Sequence, residues 1–239
     1  MTPPSASFRF THRPTVLLTG FGPFPSVPVN ASWRLVERLA PAARRAFPGY
    51  RFQAHMLSTE WHGGTQRLIE LLHTTMPVVA LHFGVSRKAS GFVIETRGYN
   101  EHSAVIDACG VTPEAGNCLV HDAPATLSTQ LPASLIAHRL RHCGLPVEIS
   151  RDAGRYLCNA ALYHSLEMAR RLGGGVRAGF IHLPLSIDER RHIGASRLTM
   201  PRAIAGGLEI IGACLGETAV SGRSNYSEAR RPCSALLRN

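Results

Sequence analysis

The sequence predicts an α/β protein, a three-layer α/β/α sandwich around a central, mostly parallel, twisted sheet. Short apolar runs at residues 15–20, 78–84 and 177–183 are closed by glycine or proline, which is typical of buried strands in a parallel sheet. Stretches with helical periodicity separate these runs. Because strands that alternate with helices form parallel sheets covered on both faces, both observations indicate the same architecture.

The elements follow this alternation along the chain. After the strand at residues 15–20, Asn30 or Ser32 can cap a helix that continues to about Leu39. Residues 98–131 are rich in Gly, Pro, Asn and Asp, and so long a loop is typical of a lid or an oligomer contact. The other strands are predicted at residues 51–58, 78–84, 91–95, 146–150 and 177–183, and the other helices at residues 64–75, 133–143, 159–172 and 199–216.

One domain is predicted, at residues 15–217. A chain of 239 residues can bury a single large core, and nothing in its composition requires a second one. Residues 1–14 lack the apolar core of a secretory signal, so we interpret them as a disordered leader. Residues 218–239 are basic and without periodicity, which predicts a loosely ordered tail. No apolar run approaches the ~20 residues that cross a bilayer, so no membrane partner is predicted.

The net charge of +10 raises the possibility of a nucleic-acid partner, and the distribution of the charge argues against it. Lys88 is the only lysine among 26 basic residues, and the arginines are spread along the whole chain. A nucleic-acid interface usually shows clustered charge with interleaved aromatic residues. We therefore predict no nucleic-acid partner.

The six cysteines are scattered without a C-x-x-C pair, which argues against a zinc site or a disulfide framework. Reduced thiols in a cytoplasmic protein fit this pattern best. A nucleotide cofactor is not indicated either. Gly20 and Gly22 begin a G-x-G sequence, but the third glycine and the G-K-[ST] ending of phosphate loops are missing.

Three residues at the ends of predicted strands carry candidate catalytic chemistry. Cys158 follows a strand and a polar bend and begins a helix, whose N-terminus favours a thiolate. Glu95 and His182 end two other strands. A cysteine with a histidine base and an orienting carboxylate is the set that covalent acyl transfer requires. Each residue also has a structural alternative: a buried thiol, a solvated strand end and a hydrogen-bonded histidine.

Phe21 and Phe24 lie on a loop that prolines stiffen, directly after the first strand. Their rings can either pack beneath the loop as part of the core or form the apolar wall of a small pocket.

Five motifs occur in order along the chain: T-G-F-G-P-F at residues 19–24, V-N-A-S-W at 29–33, I-E-T-R-G-Y-N at 94–100, D-A-G-R-Y-L-C-N at 152–159 and F-I-H-L-P at 180–184. Together they resemble the successive signatures of the pyroglutamyl-peptidase I family, also called pyrrolidone-carboxylate peptidases. The resemblance extends over about residues 15–215 and is specific.

The resemblance implies a cysteine exopeptidase that removes an N-terminal pyroglutamyl (5-oxoproline) residue from peptides. It also implies a single α/β/α domain, a cytoplasmic homo-oligomer (tetramer or dimer), and no metal or organic cofactor. By position, Cys158 matches the family's nucleophile, His182 its general base and Glu95 its third active-site residue.

The same resemblance assigns the substrate pocket. Phe21 and Phe24 match the aromatic pair that holds the pyrrolidone ring, and Tyr156 and Leu157 match residues that line the pocket. Ile106 is expected to face it. Extended backbone next to the nucleophile can bond the lactam N–H and C=O, which an apolar pocket would otherwise leave unpaired.

Two departures from the family pattern keep other functions open. Val85 stands where many bacterial members have a side-chain amide, and Thr96 stands where a basic residue commonly follows the glutamate. One alternative is a catalytically impaired homologue that binds pyroglutamyl or related small ligands. Another is a nucleoside phosphorylase-like enzyme on a similar fold, which would need a phosphate site that the sequence does not show.

Overall fold

A twisted six-stranded sheet with helices on both faces forms the described part of the molecule. The computed structural model describes residues 13–25, 27–113, 116, 118–187 and 198–219. Nearly all of the predicted leader and tail lie outside these residues, so the predicted domain boundaries remain predictions.

The predicted elements occur in the predicted order, and the two short strands Arg97–Tyr99 and Thr126–Ser128 were not predicted. The described strands are β1 (Thr15–Phe21), β2 (Arg51–Leu57), β3 (Val79–Ser86), β4 (Phe92–Glu95), β5 (Arg97–Tyr99), β6 (Thr126–Ser128), β7 (Val147–Ser150) and β8 (Arg177–Pro184). The described helices are α1 (Ala31–Ala46), α2 (Trp61–Thr75), α3 (Ala133–His142), α4 (Leu157–Arg171) and α5 (Met200–Leu215).

The main sheet has the strand order β2-β1-β3-β8-β4-β7, and β5 and β6 form a separate antiparallel pair. Four neighbouring strands, β2, β1, β3 and β8, are parallel. The strand β4 is antiparallel to β8, and β7 is parallel to β4. The sheet is therefore mostly parallel, as predicted, with two reversed strands at one edge.

Alternate residues of β1 divide the core into two layers. Val16 and Leu18 are fully buried among α1, α3 and α5. Leu17 points to the other face and is buried beneath α2 and α4. Because successive side chains of a strand point to opposite faces, one apolar run serves both layers. This confirms the three-layer sandwich.

Three predicted segments differ from the structure by more than two residues. Helix α1 continues past Leu39 and through Pro41, whose ring faces solvent, to Ala46. The predicted loop at residues 98–131 contains most of the β5–β6 pair. Helix α2 begins at Trp61, three residues early, because the carboxylate of Asp107 accepts a hydrogen bond of 3.0 Å from the Trp61 backbone N–H. That cap comes from a distant segment, which local sequence rules cannot detect.

Asn30 caps α1 as predicted, since its side chain accepts a hydrogen bond from the Ser32 N–H. The start of this helix lies directly against β1. A Cβ atom added to Gly20 would lie 2.7 Å from the backbone of Ser32 and Trp33. Only glycine permits this approach of strand and helix.

We expect Gly20→Ala to lower the free energy of unfolding by about 1–3 kcal/mol, because neither backbone can move away without repacking the core. Urea denaturation measures the change. Gly49→Ala is the matched control, since a Cβ there meets nothing within 4 Å, and its effect should stay within about 0.5 kcal/mol. Equal stability of the two variants would contradict the close approach at Gly20.

Candidate active site

Four neighbouring strands align one row of side chains on the sheet face that α2 and α4 cover. Thr19 of β1 lies opposite His82 of β3, and His82 lies opposite Phe180 of β8. Phe180 in turn lies opposite Glu95 of β4. Because paired residues in a sheet point to the same side, these four side chains share one face.

The next row, closer to the ends of β3 and β8, places Gly84 opposite His182. His182 follows Phe180 by two residues, so both side chains also share this face. Across the antiparallel pair, Glu95 is therefore the diagonal neighbour of His182.

Glu95 and His182 lie at or near the ends of their strands, as predicted, but these two strand ends are not side by side. The strand β4 runs opposite to β8, so the end of β4 lies beside Phe180 rather than beside the end of β8. Glu95, Cys158 and His182 do meet, but on the face of the sheet. Sheet register and the position of α4 bring them together.

His182 and Glu95 form a buried pair. Nδ1 of His182 donates a hydrogen bond of 2.8 Å to Oε1 of Glu95, and the two side chains are 9% and 3% exposed. The second carboxylate oxygen, Oε2, is buried and has no hydrogen-bond partner among the described residues. The bond fixes the tautomer and orientation of the imidazole, which is the task of the carboxylate in nucleophile–histidine–carboxylate sites.

Cys158 is the other side-chain partner of His182. Burial by itself lowers the pKa of His182, but the charge of Cys158, its hydrogen bond and the Glu95 carboxylate outweigh burial and raise that pKa to about 10. The arrangement therefore favours an imidazolium beside the Cys158 sulfur, as a reactive cysteine–histidine pair requires.

Cys158 is the second residue of α4, and its side chain is partly exposed. Its sulfur lies directly above Gly84, where an added Cβ would be 3.2 Å from Sγ and 2.6 Å from the Phe180 ring. Because Gly84 has no side chain, the Cys158 thiol can lie close to the sheet at this position. The N-terminal turn of α4 also leaves backbone N–H groups without helical partners near the sulfur.

Hydrogen bonds tie the loop before Cys158 to the segment that follows β4. The backbone N–H and the hydroxyl of Thr96 both donate to the Ser150 carbonyl, at 2.9 and 2.6 Å. The N–H and hydroxyl of Ser103 do the same to the Arg155 carbonyl, at 2.7 and 2.9 Å. Thr96, a departure from the family pattern, therefore holds the start of the loop that leads to Cys158.

Asn159 fixes the other end of this loop. Its side chain is fully buried, accepts from the Tyr99 N–H, and donates to the carbonyls of Tyr99 and Glu101. The residue after Cys158 thus makes three hydrogen bonds to the segment after β4.

Tyr156 and Ile106 meet at the mouth of the site. The Tyr156 hydroxyl donates to the Ile106 carbonyl at 3.2 Å, and its ring packs edge-on against Trp61 at 5.1 Å. Burial, Asp107 and Cys158 raise the pKa of the Tyr156 hydroxyl, so it stays a neutral donor. The Ile106 side chain is 59% exposed.

Phe21 and Leu157 are buried in one apolar cluster. The Phe21 ring lies 6.3 Å from the Phe180 ring, which lies 4.9 Å from the His182 ring. Phe24 is half-buried, and its backbone bonds to Val27. Among the predicted pocket residues, Phe24 is thus the one whose ring the described contacts do not bring to the catalytic residues.

The path of the Phe24 loop is held by polar side chains. The Thr59 hydroxyl lies 3.2 and 3.1 Å from the carbonyls of Gly22 and Pro23, and the Asn30 amide donates to Gly22 at 2.9 Å. Asn30 therefore caps a helix and shapes the loop at once.

Sequence reasoning missed three residues of this site: Phe180, Gly84 and Trp61. Phe180 precedes His182 by two residues, so the period of a strand could have placed both rings on one face. A glycine near a strand end is a weak signal of close approach. Trp61 gave no local signal, since the segment it contacts lies more than forty residues away.

The described ranges contain no cluster of three His, Cys, Asp or Glu side chains that could hold a metal ion. The helices described there are also too short or too polar to cross a membrane.

Comparison with known proteins gives concordant matches. The family model described as pyroglutamyl peptidase matches residues 14–206. The chain is 32% identical over 201 residues to the pyrrolidone-carboxylate peptidase of Cupriavidus taiwanensis, which covers 81% of this chain and 89% of the relative. It is 34% identical over 176 residues to mouse pyroglutamyl-peptidase 1, covering 72% and 79%. A mutant pyrrolidone carboxyl peptidase from Pyrococcus furiosus superimposes with TM-score 0.74 at 26% identity, covering 84% and 98%.

We expect iodoacetamide to alkylate Cys158 about tenfold faster than the other described free cysteines, because a thiolate paired with His182 reacts at neutral pH. The charge of Glu60 raises the pKa of Cys109, and burial raises that of Cys214 to about 12. Mass spectrometry of partly labelled protein gives the order. Faster labelling of the exposed Cys118 would contradict an activated thiolate at Cys158.

Proposed function

Since the chain belongs to the pyroglutamyl peptidase family, a family of cysteine peptidases, we propose that Cys158, His182 and Glu95 catalyse removal of an N-terminal pyroglutamyl residue from peptides. The observation that carries the proposal is the buried hydrogen bond from His182 to Glu95, with Cys158 as the other partner of the same imidazole. Family membership favours the peptidase over the nucleoside phosphorylase-like alternative. The complete catalytic set argues against an impaired homologue.

In the first half of the reaction, His182 holds the proton of Cys158 and the thiolate attacks the carbonyl carbon that joins pyroglutamate to the next residue. Backbone N–H groups in the first turn of α4 stabilise the oxyanion. The imidazolium then gives its proton to the leaving amine. The carbon–nitrogen bond breaks, and the shortened peptide departs, leaving a thioester on Cys158.

In the second half, His182 accepts a proton from water as the water oxygen attacks the thioester carbonyl. The carbon–sulfur bond breaks, free pyroglutamate leaves, and the thiolate–imidazolium pair is restored. Glu95 stabilises the imidazolium throughout, since its carboxylate is the fixed negative charge next to the ring.

We infer a substrate pocket beside Cys158 that suits a small lactam as the acyl group. Phe21 and Leu157 supply buried apolar surface, and we assign Tyr156, Ile106 and Phe24 to the solvent side of the proposed pocket from the family resemblance. The pyrrolidone ring is flat and mostly apolar, with one N–H and one C=O. Backbone groups beside Cys158 pair with these two polar groups, and this selects pyroglutamate over proline, which lacks the lactam carbonyl.

We also propose that the protein works in a reducing compartment such as the cytoplasm, as a homodimer or homotetramer. The thiolate of Cys158 must stay reduced to act, and Cys109, Cys118 and Cys214 are free as well, whereas Cys143 is disulfide-bonded, contrary to the expectation that all six thiols are reduced. The oligomeric state is supported by the family resemblance.

Hydrolysis of a chromogenic pyroglutamyl amide under reducing conditions tests the proposed activity. We expect wild type to cleave it, and Cys158→Ala and Cys158→Ser to lose more than about 1,000-fold in kcat/KM, because neither variant forms a thiolate. The matching prolyl amide is the control substrate and should resist cleavage. An inert wild type, or an alanine variant that keeps its rate, would refute the mechanism.

The alkaline limb of kcat/KM against pH should report His182. Activity requires the imidazolium, so it falls as pH rises through the raised pKa of His182, which is about 10. Glu95→Gln removes a negative charge that stabilises the imidazolium, so we expect this limb to move to lower pH by at least about one unit. Glu70→Gln, on the exposed face of α2, controls for net charge. An unmoved limb in Glu95→Gln would show that Glu95 does not act through His182.

A further inference from the structure

A buried histidine, His82, lies in the same row as Glu95 and one row below His182, and it has no part in the proposed reaction. The His82 side chain is fully buried, and both of its ring nitrogens have a hydroxyl partner. Nδ1 lies 2.8 Å from the Thr19 hydroxyl, and Nε2 lies 2.8 Å from the Ser165 hydroxyl. The three residues belong to β1, β3 and α4, so one imidazole connects two strands to the helix that carries Cys158.

This histidine is neutral. Burial lowers its pKa to about 3, so its charge does not change across the physiological range. A neutral imidazole has one N–H and one lone pair, and a hydroxyl can match either one. Both nitrogens are therefore satisfied in either tautomer, and the contact persists at any pH at which the proposed enzyme would work.

The positions of the two partners relate this contact to the nucleophile. Ser165 follows Cys158 by seven residues, or about two turns, so the two side chains lie on the same face of α4. On the strand below, His82 precedes Gly84 by two residues and shares its face. Helix α4 thus meets β3 at two points: Ser165 on His82, and the Cys158 sulfur above Gly84.

Between these two points the buried Ala161 and Leu162 are apolar, and apolar side chains alone do not fix the position of the helix along the strand. Hydrophobic contact is not directional, whereas a hydrogen bond limits distance and angle. The hydroxyl–imidazole bond is the directional contact between α4 and β3 beneath the nucleophile.

We propose that the hydrogen bond between Ser165 and His82 is a positioning contact, which sets the place of α4 over the sheet and so holds the Cys158 thiol in reach of His182. The proposal rests on the proposed peptidase activity. Neither residue touches the reacting atoms, so both act through Cys158.

The test compares two variants of α4. Ser165→Ala removes the bond to the sheet, and Tyr163→Phe removes a hydroxyl bond from the same helix to the Pro124 carbonyl in a surface segment. We expect Ser165→Ala to lower kcat about tenfold, because a small displacement of a nucleophile slows the reaction. KM and the pH dependence of kcat near neutral pH should change little. The kcat of Tyr163→Phe should stay within about twofold of the wild-type value, although this variant should lose a similar free energy of unfolding to Ser165→Ala.

The alkylation rate of Cys158 by iodoacetamide gives a second readout that needs no turnover, and it should fall in Ser165→Ala alone. His82→Leu combined with Ser165→Ala should lose no more than the worse single variant, since both changes remove the same bond. Unchanged kcat and alkylation in Ser165→Ala, or equal losses in Tyr163→Phe, would overturn the proposal. If wild type does not cleave the substrate, the proposed function fails, while the alkylation comparison still decides the positioning contact.

Discussion

The pairing of β8 with its two neighbours is the constraint on which the site depends. Its parallel register with β3 places His182 beside Gly84, and its antiparallel register with β4 places Glu95 diagonally next to His182. A slip of one residue in either register would turn a catalytic side chain to the other face of the sheet. The backbone hydrogen bonds of the sheet therefore set the separation of His182 and Glu95, and side-chain rotation only adjusts it.

The charges of the site depend on one another. Isolated buried charges are costly, and a buried pair is stable only when its hydrogen bonds are made. Here the imidazolium of His182 lies between the carboxylate of Glu95 and the sulfur of Cys158. Water is largely excluded around Glu95 and His182, so each charge acts strongly on the next. The hydrogen bonds of the loop before Cys158 and the bond between Ser165 and His82 hold α4, the helix that carries Cys158, in its position over the sheet.

Sequence reasoning could predict the elements that depend on local pattern. The apolar run of β1, the cap at Asn30 and the position of Cys158 at a helix start all follow from neighbouring residues. The reversed direction of β4 could not be predicted, because four residues carry no signal of the strand they pair with. The start of α2 depends on Asp107, which is distant in the chain. The row of Thr19, His82, Phe180 and Glu95 could not be predicted either, because it forms only when four strands pair in the correct register.

The topology also has a consequence for the order in which the protein is made. The strand β8 is the last strand of the main sheet along the chain, yet it lies in its middle, between β3 and β4. Until residues 177–184 leave the ribosome, β1, β2 and β3 have no neighbour that joins them to β4 and β7. The nascent chain carries Cys158 and Glu95 well before it carries His182. A growing chain thus lacks the proposed base, and the proposed catalytic set is complete only when the central strand enters the sheet.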